Sequence, residues 1–244
     1  MNEQYINIIN RMNLDYFEML GKLRGNESHV ETNLYRLSGN INYIYCIGKV
    51  EVGEIIKRMT VSDIPDTIMF QAGDEQSELF MSTGLFTKET VAVMAHELGD
   101  TSLPTFGKEL KIAKVSDASQ LKAAGAILNS TLYYTMFSFQ DYLDMMDNDG
   151  QYFYIAEYNG LPVGACMTMD GDDFIHLAWI GTLPAYRKLG IAGHLIQAAE
   201  RDGVNRGKKF GARNAYPISI NACKRAGYRE YGHTVTLTLK GNCE

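Results

Sequence analysis

Residues 174 to 207 limit most strongly what this chain can fold into. Phe174 to Thr182 is an apolar run rich in aromatic and β-branched residues, the composition of a strand, and Pro184 closes it. Tyr186-Arg187-Lys188-Leu189-Gly190-Ile191-Ala192-Gly193-His194-Leu195-Ile196 follows. Ile191, Leu195, Ala198 and Ala199 then recur at helical spacing, and Gly207 stands where a C′ glycine ends a helix. The helix that begins near Gly190 leaves its first N–H groups without intrahelical partners, and its dipole places partial positive charge at that end. Small residues at Gly190, Ala192 and Gly193 let an anion reach the backbone, while Arg187 and Lys188 add formal charge. This strand–turn–helix predicts a site for paired phosphates.

The spacing excludes the common nucleotide loops. No Gly-x-x-x-x-Gly-Lys-Ser/Thr run exists, and no Gly-x-Gly-x-x-Gly opens a βαβ unit. What stands here is Arg187-x-x-Gly190-x-Ala192. It resembles the Gln/Arg-x-x-Gly-x-Gly/Ala signature of the GCN5-related N-acetyltransferases, the GNAT family, which holds the pyrophosphate of acetyl-coenzyme A.

The surrounding elements fit that resemblance. Leu110 to Val115 predicts a strand, Ala118 to Asn129 and Gln140 to Met146 helices, and Gln151 to Tyr158 and Pro162 to Met169 a hairpin turning at Asn159-Gly160. Asp170 to Asp173 turns into the strand before the signature. After the signature helix come a strand at Phe210 to Ala215, a helix at Ile218 to Arg225 and an alternating strand at Thr234 to Leu239. The order β-α-α-β-β-β-α-β-α-β is similar to the GNAT fold over about residues 108 to 240, and Gly227-Tyr228 resembles the Gly-Phe/Tyr after that family's last helix. The resemblance implies an α+β (mixed αβ) acyl-CoA acyltransferase fold.

The first hundred residues carry a second pattern. An amphipathic helix is expected over residues 1 to 24, strands at Asn33 to Leu37 and Tyr43 to Ile47, and a helix at Val52 to Met59. A strand at Asp66 to Phe70, a helix at Glu75 to Ser82 and a strand at Thr90 to His96 follow. Leu79 to Phe86 followed by Thr90 to Met94 echoes Ala222 to Tyr228 followed by Thr234 to Thr238: a helix ends at Gly, an aromatic follows, and an alternating strand comes next. The echo suggests two GNAT-like domains in tandem, 1–105 and 106–244, with Thr101 to Gly107 as linker. Gly48 to Glu54, the nearest counterpart of the signature, carries Glu51 and Glu54 where phosphates would lie, so the first domain reads as degenerate, with an unrelated α+β cap domain as the alternative.

Composition narrows the partners. Apolar residues make up 45% and charged ones 21%, an ordinary globular balance. A net charge of −6 argues against nucleic acid and mildly favours cationic small acceptors. No apolar run reaches the length of a membrane span, the start lacks a signal-peptide pattern, and Cys46, Cys166, Cys223 and Cys243 show no framework spacing. These features predict a cytoplasmic protein with reduced thiols, monomer or homodimer. His29, His96, His194 and His233 show no metal-ligand spacing, so no metal is expected.

The resemblance also implies roles for individual residues. Ile180, Gly181, Thr182 and Leu183 would give main-chain contacts to the acetyl group and pantetheine. Arg187, Lys188, Leu189, Gly190, Ile191, Ala192 and Gly193 would hold the diphosphate. His176 stands where many members place a catalytic Glu; an imidazole titrates near neutral pH, and a hydrogen-bonded structural histidine is the other reading. Alternation expects His176, Ala178 and Ile180 on one strand face, Leu177 and Trp179 on the other. Cys223 occupies the position of the family's acid, a Tyr, and would act as proton donor or as a buried structural thiol. Tyr133, Tyr134 and Phe137 lie in the segment that overlies the acceptor, or pack in the core. The implied activity is acetyl transfer from acetyl-CoA to the amine of a small acceptor. The alternatives are an acyl-CoA-sensing module without catalysis and a peptide or protein N-acetyltransferase.

Overall fold

The computed structural model describes residues 3–38, 43–59, 67–70, 76–99, 107, 109–132 and 137–240. In chain order the first elements are α1 (Glu3–Leu23), β1 (Glu27–Glu31), β2 (Leu34–Ser38), β3 (Tyr43–Cys46), α2 (Val52–Met59), β4 (Thr67–Phe70), α3 (Ser77–Met81) and β5 (Phe86–Glu97). The rest are β6 (Leu110–Lys114), α4 (Ala118–Thr131), α5 (Phe139–Met146), β7 (Gln151–Tyr158), β8 (Leu161–Asp170), β9 (Phe174–Thr182), α6 (Ile191–Asn205), β10 (Phe210–Ala215), α7 (Pro217–Arg225) and β11 (Arg229–Leu239). Two compact units result: Met1–Val93 with Glu230–Glu244, and Met94–Arg229.

In the first unit, β1, β2 and β3 form an antiparallel meander, and β3 joins β4 in parallel through α2. Only a crossover connection permits that parallel pairing. β11 pairs antiparallel with β4. Leu34, Ile44, Ile68, Phe70, Phe80 and Phe86 form one core with Val235 and Leu237 of β11. Phe17 of α1 packs on Tyr43 and Tyr45 at ring distances of 5.2 and 5.5 Å. Every residue of β1 is exposed, so this strand has no apolar alternation by which the sequence would announce it.

The second unit orders its strands β10-β9-β8-β7-β6. All these neighbours run antiparallel except β9 and β10, which are parallel and joined by α6. Asn159 and Gly160 have φ of 51° and 77°, the left-handed pair that a type I′ hairpin demands. Asp117 caps α4 through Gln120 N–H at 2.8 Å, and Ser138 and Asp141 form a capping box on α5. The mixed α+β architecture matches the fold class expected from the sequence.

The element series β1-β2-β3-α2-β4-α3-β5 repeats as β7-β8-β9-α6-β10-α7-β11, with the same antiparallel, antiparallel, parallel pairings through the first strands. Each copy's last helix is followed by a left-handed glycine, Gly84 (φ 76°) or Gly227 (φ 99°), and then the closing strand. The closing strand of the second copy, β11, belongs to the first unit.

A polar knot lies at the end of α6. Arg206 donates to Asp170 from Nε at 2.9 Å and Nη2 at 2.8 Å, and also to Asp202, which accepts from Tyr154 OH at 2.6 Å. Burial pushes the Asp202 pKa up, but Tyr154, Lys114 and the Arg206 charge outweigh it and hold the carboxyl below its usual range. Arg206→Met removes the cation that the two carboxylates share, leaving Asp202 with Lys114 at 2.9 Å and Asp170 with Lys208 at 3.6 Å. A loss of about 3 kcal/mol in urea unfolding is expected, because one partner of a largely buried ion pair is removed. A depressed folded-state pKa means that Asp202 stabilises above the unfolded carboxyl pKa, about 4. That contribution disappears as pH falls through the lower folded value, and acid-unfolding curves of Asp202→Asn should lack it.

Candidate functional site

The site begins with an irregularity in β9. Met167 of β8 stands opposite Trp179 and Thr168 opposite Leu177, so Ala178 is an extra residue in a β-bulge. On the other side, β9 and β10 pair at Phe174/Phe210, Ile175/Gly211 and His176/Ala212. The ladder ends there, although β9 runs on to Thr182 and β10 to Ala215. The two parallel strands stop pairing at the bulge, so the main chain of residues 177–182 has no partner on β10, and the gap between the strands is the candidate slot. An unpaired strand edge of this kind receives an extended ligand through N–H and C=O groups.

The bulge also corrects the expected alternation. His176 pairs with Met169 and Trp179 with Met167, whereas Leu177 and Ile180 pair with Thr168 and Cys166. Cys166 faces α6, with its Sγ 3.9 Å from Leu195 C=O, and Gly203 of α6 leaves room for Ile175. Trp179 lies against Phe137 and Tyr142, at ring distances of 4.8 and 6.5 Å. His176 and Trp179 therefore share the α4/α5 face, and Leu177 and Ile180 share the α6 face. One extra residue reverses the parity of a strand with period two.

Past β9 the chain turns tightly. Leu183 N–H donates to Val163 C=O at 2.9 Å, and Arg187 Nε donates to Thr182 C=O at 3.2 Å. Lys188 and Gly190 both take left-handed backbone angles, φ 68° and 80°. For Lys188 this is costly, and such strain collects where a loop shapes a binding concavity. The first helical bond here runs from His194 N–H to Gly190 C=O at 3.2 Å, so the N–H groups of Ile191, Ala192 and Gly193 precede the ladder. A Cβ on Gly193 would meet nothing within 4 Å, and Lys188, Leu189 and Gly190 are exposed. Ile191 is buried and fixes the helix start on β8, where a Cβ on Gly164 would come 2.9 Å from Ile191 Cγ2. Open main-chain donors and two cations thus stand beside the slot.

A buried polar group fills the α6 side of β10. His96 Nε2 lies 2.8 Å from Glu200 Oε1 of α6, and its ring sits 4.3 Å from that of Tyr228. Gly211 admits both, since a Cβ there would lie 2.7 Å from Tyr228 OH and 3.2 Å from the His96 ring. Arg213 follows Ala212, the last residue of β10 paired with β9, and Cys223 of α7 lies beside its guanidinium. Burial pushes the Cys223 thiol up, with Arg213 opposing. Tyr228 is raised well above the ordinary phenol value, by burial and by the Glu200 charge.

His176 and Cys223 are not brought together: they lie on opposite faces of the sheet, and both are buried. Burial, then the Arg213 charge, lowers His176 to about 3. Phe137 is buried in the aromatic core with Trp179 and Tyr142. Tyr133 and Tyr134 lie outside the described residues. Ile180 to Leu183 and Arg187 to Gly193 form one continuous corner from slot to helix start. Gly164, Ala178, Gly211 and Arg213 belong to the same region and escape the motif reading. Arg213 alone carried a usable signal, the one charge in the strand Phe210–Ala215. Among the described residues no group of His, Cys, Asp and Glu could hold a metal ion, and no helix is long and apolar enough to cross a membrane.

Comparison with known proteins gives the context. The model of the acetyltransferase (GNAT) family matches residues 123–228, which contain α5, the slot, α6 and α7. No curated protein matches the chain. Among solved structures, the chain is similar to a GCN5-related N-acetyltransferase from Kribbella flavida, at 17% identity over 95% of this chain and 96% of that one, with a TM-score of 0.70. A functionally unknown conserved protein from Staphylococcus epidermidis superposes with a TM-score of 0.67 at 14% identity, covering 89% and 95% of the two chains. A GCN5-related N-acetyltransferase from Sphaerobacter thermophilus gives 0.64 at 17% identity, covering 84% and 76%.

Proposed function

We propose that this chain, whose residues 123–228 match the model of the acetyltransferase (GNAT) family, moves an acetyl group from acetyl-CoA to the amine of a small acceptor. The observation that carries this reading is the juxtaposition of the open β9 edge with the bare N-terminus of α6. Diphosphate on the N–H groups of Ile191 to Gly193, flanked by Arg187 and Lys188, sets the pantetheine to run along Ile180 to Leu183. The thioester then rests near the bulge, where a main-chain N–H of β9 polarises its carbonyl. The amine attacks the carbonyl carbon, the C–S bond breaks, and its electron pair leaves on sulfur.

With a pKa of about 3, His176 holds no proton in neutral solution and is a weak acceptor for one. The proton of the attacking amine passes instead to water in the slot, and His176 acts as a neutral structural group. Cys223 keeps its proton and serves as the donor to the departing sulfur. His176→Gln is expected to leave the acid limb of the kcat/KM pH profile in place; a limb displaced by that substitution restores the base role.

The N-terminal copy, 1–105, reads as a degenerate partner of the catalytic copy, 106–244. Its α2 has Lys49 and Glu51 before it and Glu54 in its first turn, where α6 has Arg187 and Lys188 before it and no acid, and Glu54 N–H already donates to Glu51 C=O at 3.1 Å. Two carboxylates at a helix start repel phosphate.

The test is calorimetric titration with CoA and acetyl-CoA, followed by CoA release against polyamines, amino acids, aminosugars and short peptides. Binding with turnover on a small amine is expected, in a cytoplasmic monomer or homodimer. Arg187→Glu should weaken CoA binding tenfold or more, about 1.4 kcal/mol. Binding without turnover on any amine leaves a sensing module, and turnover on peptides alone a peptide acetyltransferase.

A further inference from the structure

Among the described residues Arg213 is a cation with no carboxylate of its own. It is 4% exposed, and its Nη1 is buried without a hydrogen-bond partner. Its Nε donates to Asn214 C=O at 3.4 Å, and it forms no ion pair among the described residues. Glu200, whose charge also acts on Cys223, directs Oε1 to His96 and leaves Oε2 buried without a hydrogen-bond partner, so it makes no ion pair with Arg213. A buried guanidinium is costly unless a counter-charge meets it, so an unpaired one marks a place where negative charge arrives during function. Its position says which charge. Arg213 is the first residue of β10 beyond the ladder with β9, and it borders Cys223, so it sits at the closed end of the slot where the thioester sulfur would lie.

We propose that Arg213 is the leaving-group residue, holding the thiolate of CoA as the C–S bond breaks. The inference rests on the acyltransfer reading above and supplies what that reading lacks, stabilisation of the charge before any proton arrives. When the amine attacks and the carbon–sulfur pair departs on sulfur, the N–H groups of Arg213 meet the new anion. The proton that water in the slot took from the amine then passes through Cys223 to that sulfur, Cys223 giving up its own proton as it receives one, so that no Cys223 thiolate forms. The field of Arg213 already reaches the site's other groups: it opposes the burial that raises Cys223 and Tyr228, and it adds to the lowering of His176.

The thiol titration of bound CoA tests this directly. Ultraviolet difference spectra between the CoA complex and the desulfo-CoA complex cancel the protein's own thiols. In the wild type, bound CoA should titrate about 1 to 3 pH units below CoA free in the same buffer, as expected beside a desolvated cation. Arg213→Lys should keep most of that displacement and Arg213→Gln should lose it, with desulfo-CoA affinity unchanged in both. Acetyl transfer in Arg213→Gln should fall at least thirtyfold in kcat with little change in KM for acetyl-CoA. If CoA binds but its thiol titrates in the wild type as it does in free solution, the proposal is overturned, whether or not Arg213→Gln folds. An unaltered titration in Arg213→Gln overturns it equally. Failure to bind CoA at all defeats the acyltransfer reading instead, and this one with it.

Discussion

Gly193→Asp should make the free protein slightly more stable while nearly abolishing CoA binding. Position 193 is the third residue of α6, and a side chain there meets no atom within 4 Å. Replacing Gly inside a helix gains a few tenths of a kcal/mol in propensity, and a carboxylate in the first turn gains about 0.3–1 kcal/mol from the dipole. Thermal unfolding of the apo form should therefore rise by about 2 °C for a chain of this size. The same carboxylate occupies the place where phosphate oxygens would accept from the amides, and like charges a few ångströms apart near a surface repel strongly. A loss of at least a hundredfold in affinity, about 3 kcal/mol, is expected by calorimetry. The opposite signs matter, because a variant that merely damages the fold cannot raise Tm. Undiminished affinity in Gly193→Asp would remove the diphosphate from this helix end.

Gly181→Ala should be among the most destabilising single-methyl insertions in the chain. A Cβ at 181 would collide with Thr131 Oγ1 at the last turn of α4. That hydroxyl is pinned, since it donates to Ile127 C=O at 2.7 Å and lies buried. Neither the helix nor the strand can give way cheaply. An overpacking cost of about 3 kcal/mol in denaturant unfolding is expected, with weaker CoA binding as β9 is pushed off α4. Thr131→Ala alone costs about 1 kcal/mol, the worth of its hydrogen bond. Combined with Gly181→Ala it should restore 1 kcal/mol or more, a coupling that only neighbouring residues show. Strict additivity in the double variant would mean that the two residues do not meet. Glycine at 181 reads in the sequence as a close backbone approach. In the structure the neighbour is a helix of the same unit.

Much of the fold is legible in the sequence. The strands at 151–158, 174–182 and 210–215 and the helix at 52–59 fall where composition and periodicity put them. So do the Asn159-Gly160 hairpin and the strand–turn–helix that carries the anion site. These are local properties, written in turn residues, alternation and the absence of side chains at Gly190 and Gly193. β1 was not legible, because a strand exposed on both faces carries no apolar pattern. The site was half legible. Its donors are main-chain groups that any glycine-rich helix start announces, whereas the bulge at Ala178 leaves no mark in composition and moves His176 to the other face.

The amino-acid order by itself determined that two similar series of elements exist, that each ends in glycine and an alternating strand, and that only the second has cations without carboxylates at its helix start. It also determined that Thr234 to Leu239 is a strand with one apolar face. Tertiary structure decided where that face goes. Val235 and Leu237 lie in the core of the first unit, not the second, because alternation specifies a face to bury and says nothing about which sheet buries it. It likewise decided that Arg213 stands unpaired at the end of a parted pair of strands. Charge is a property of the residue, but its isolation belongs to the packing around it.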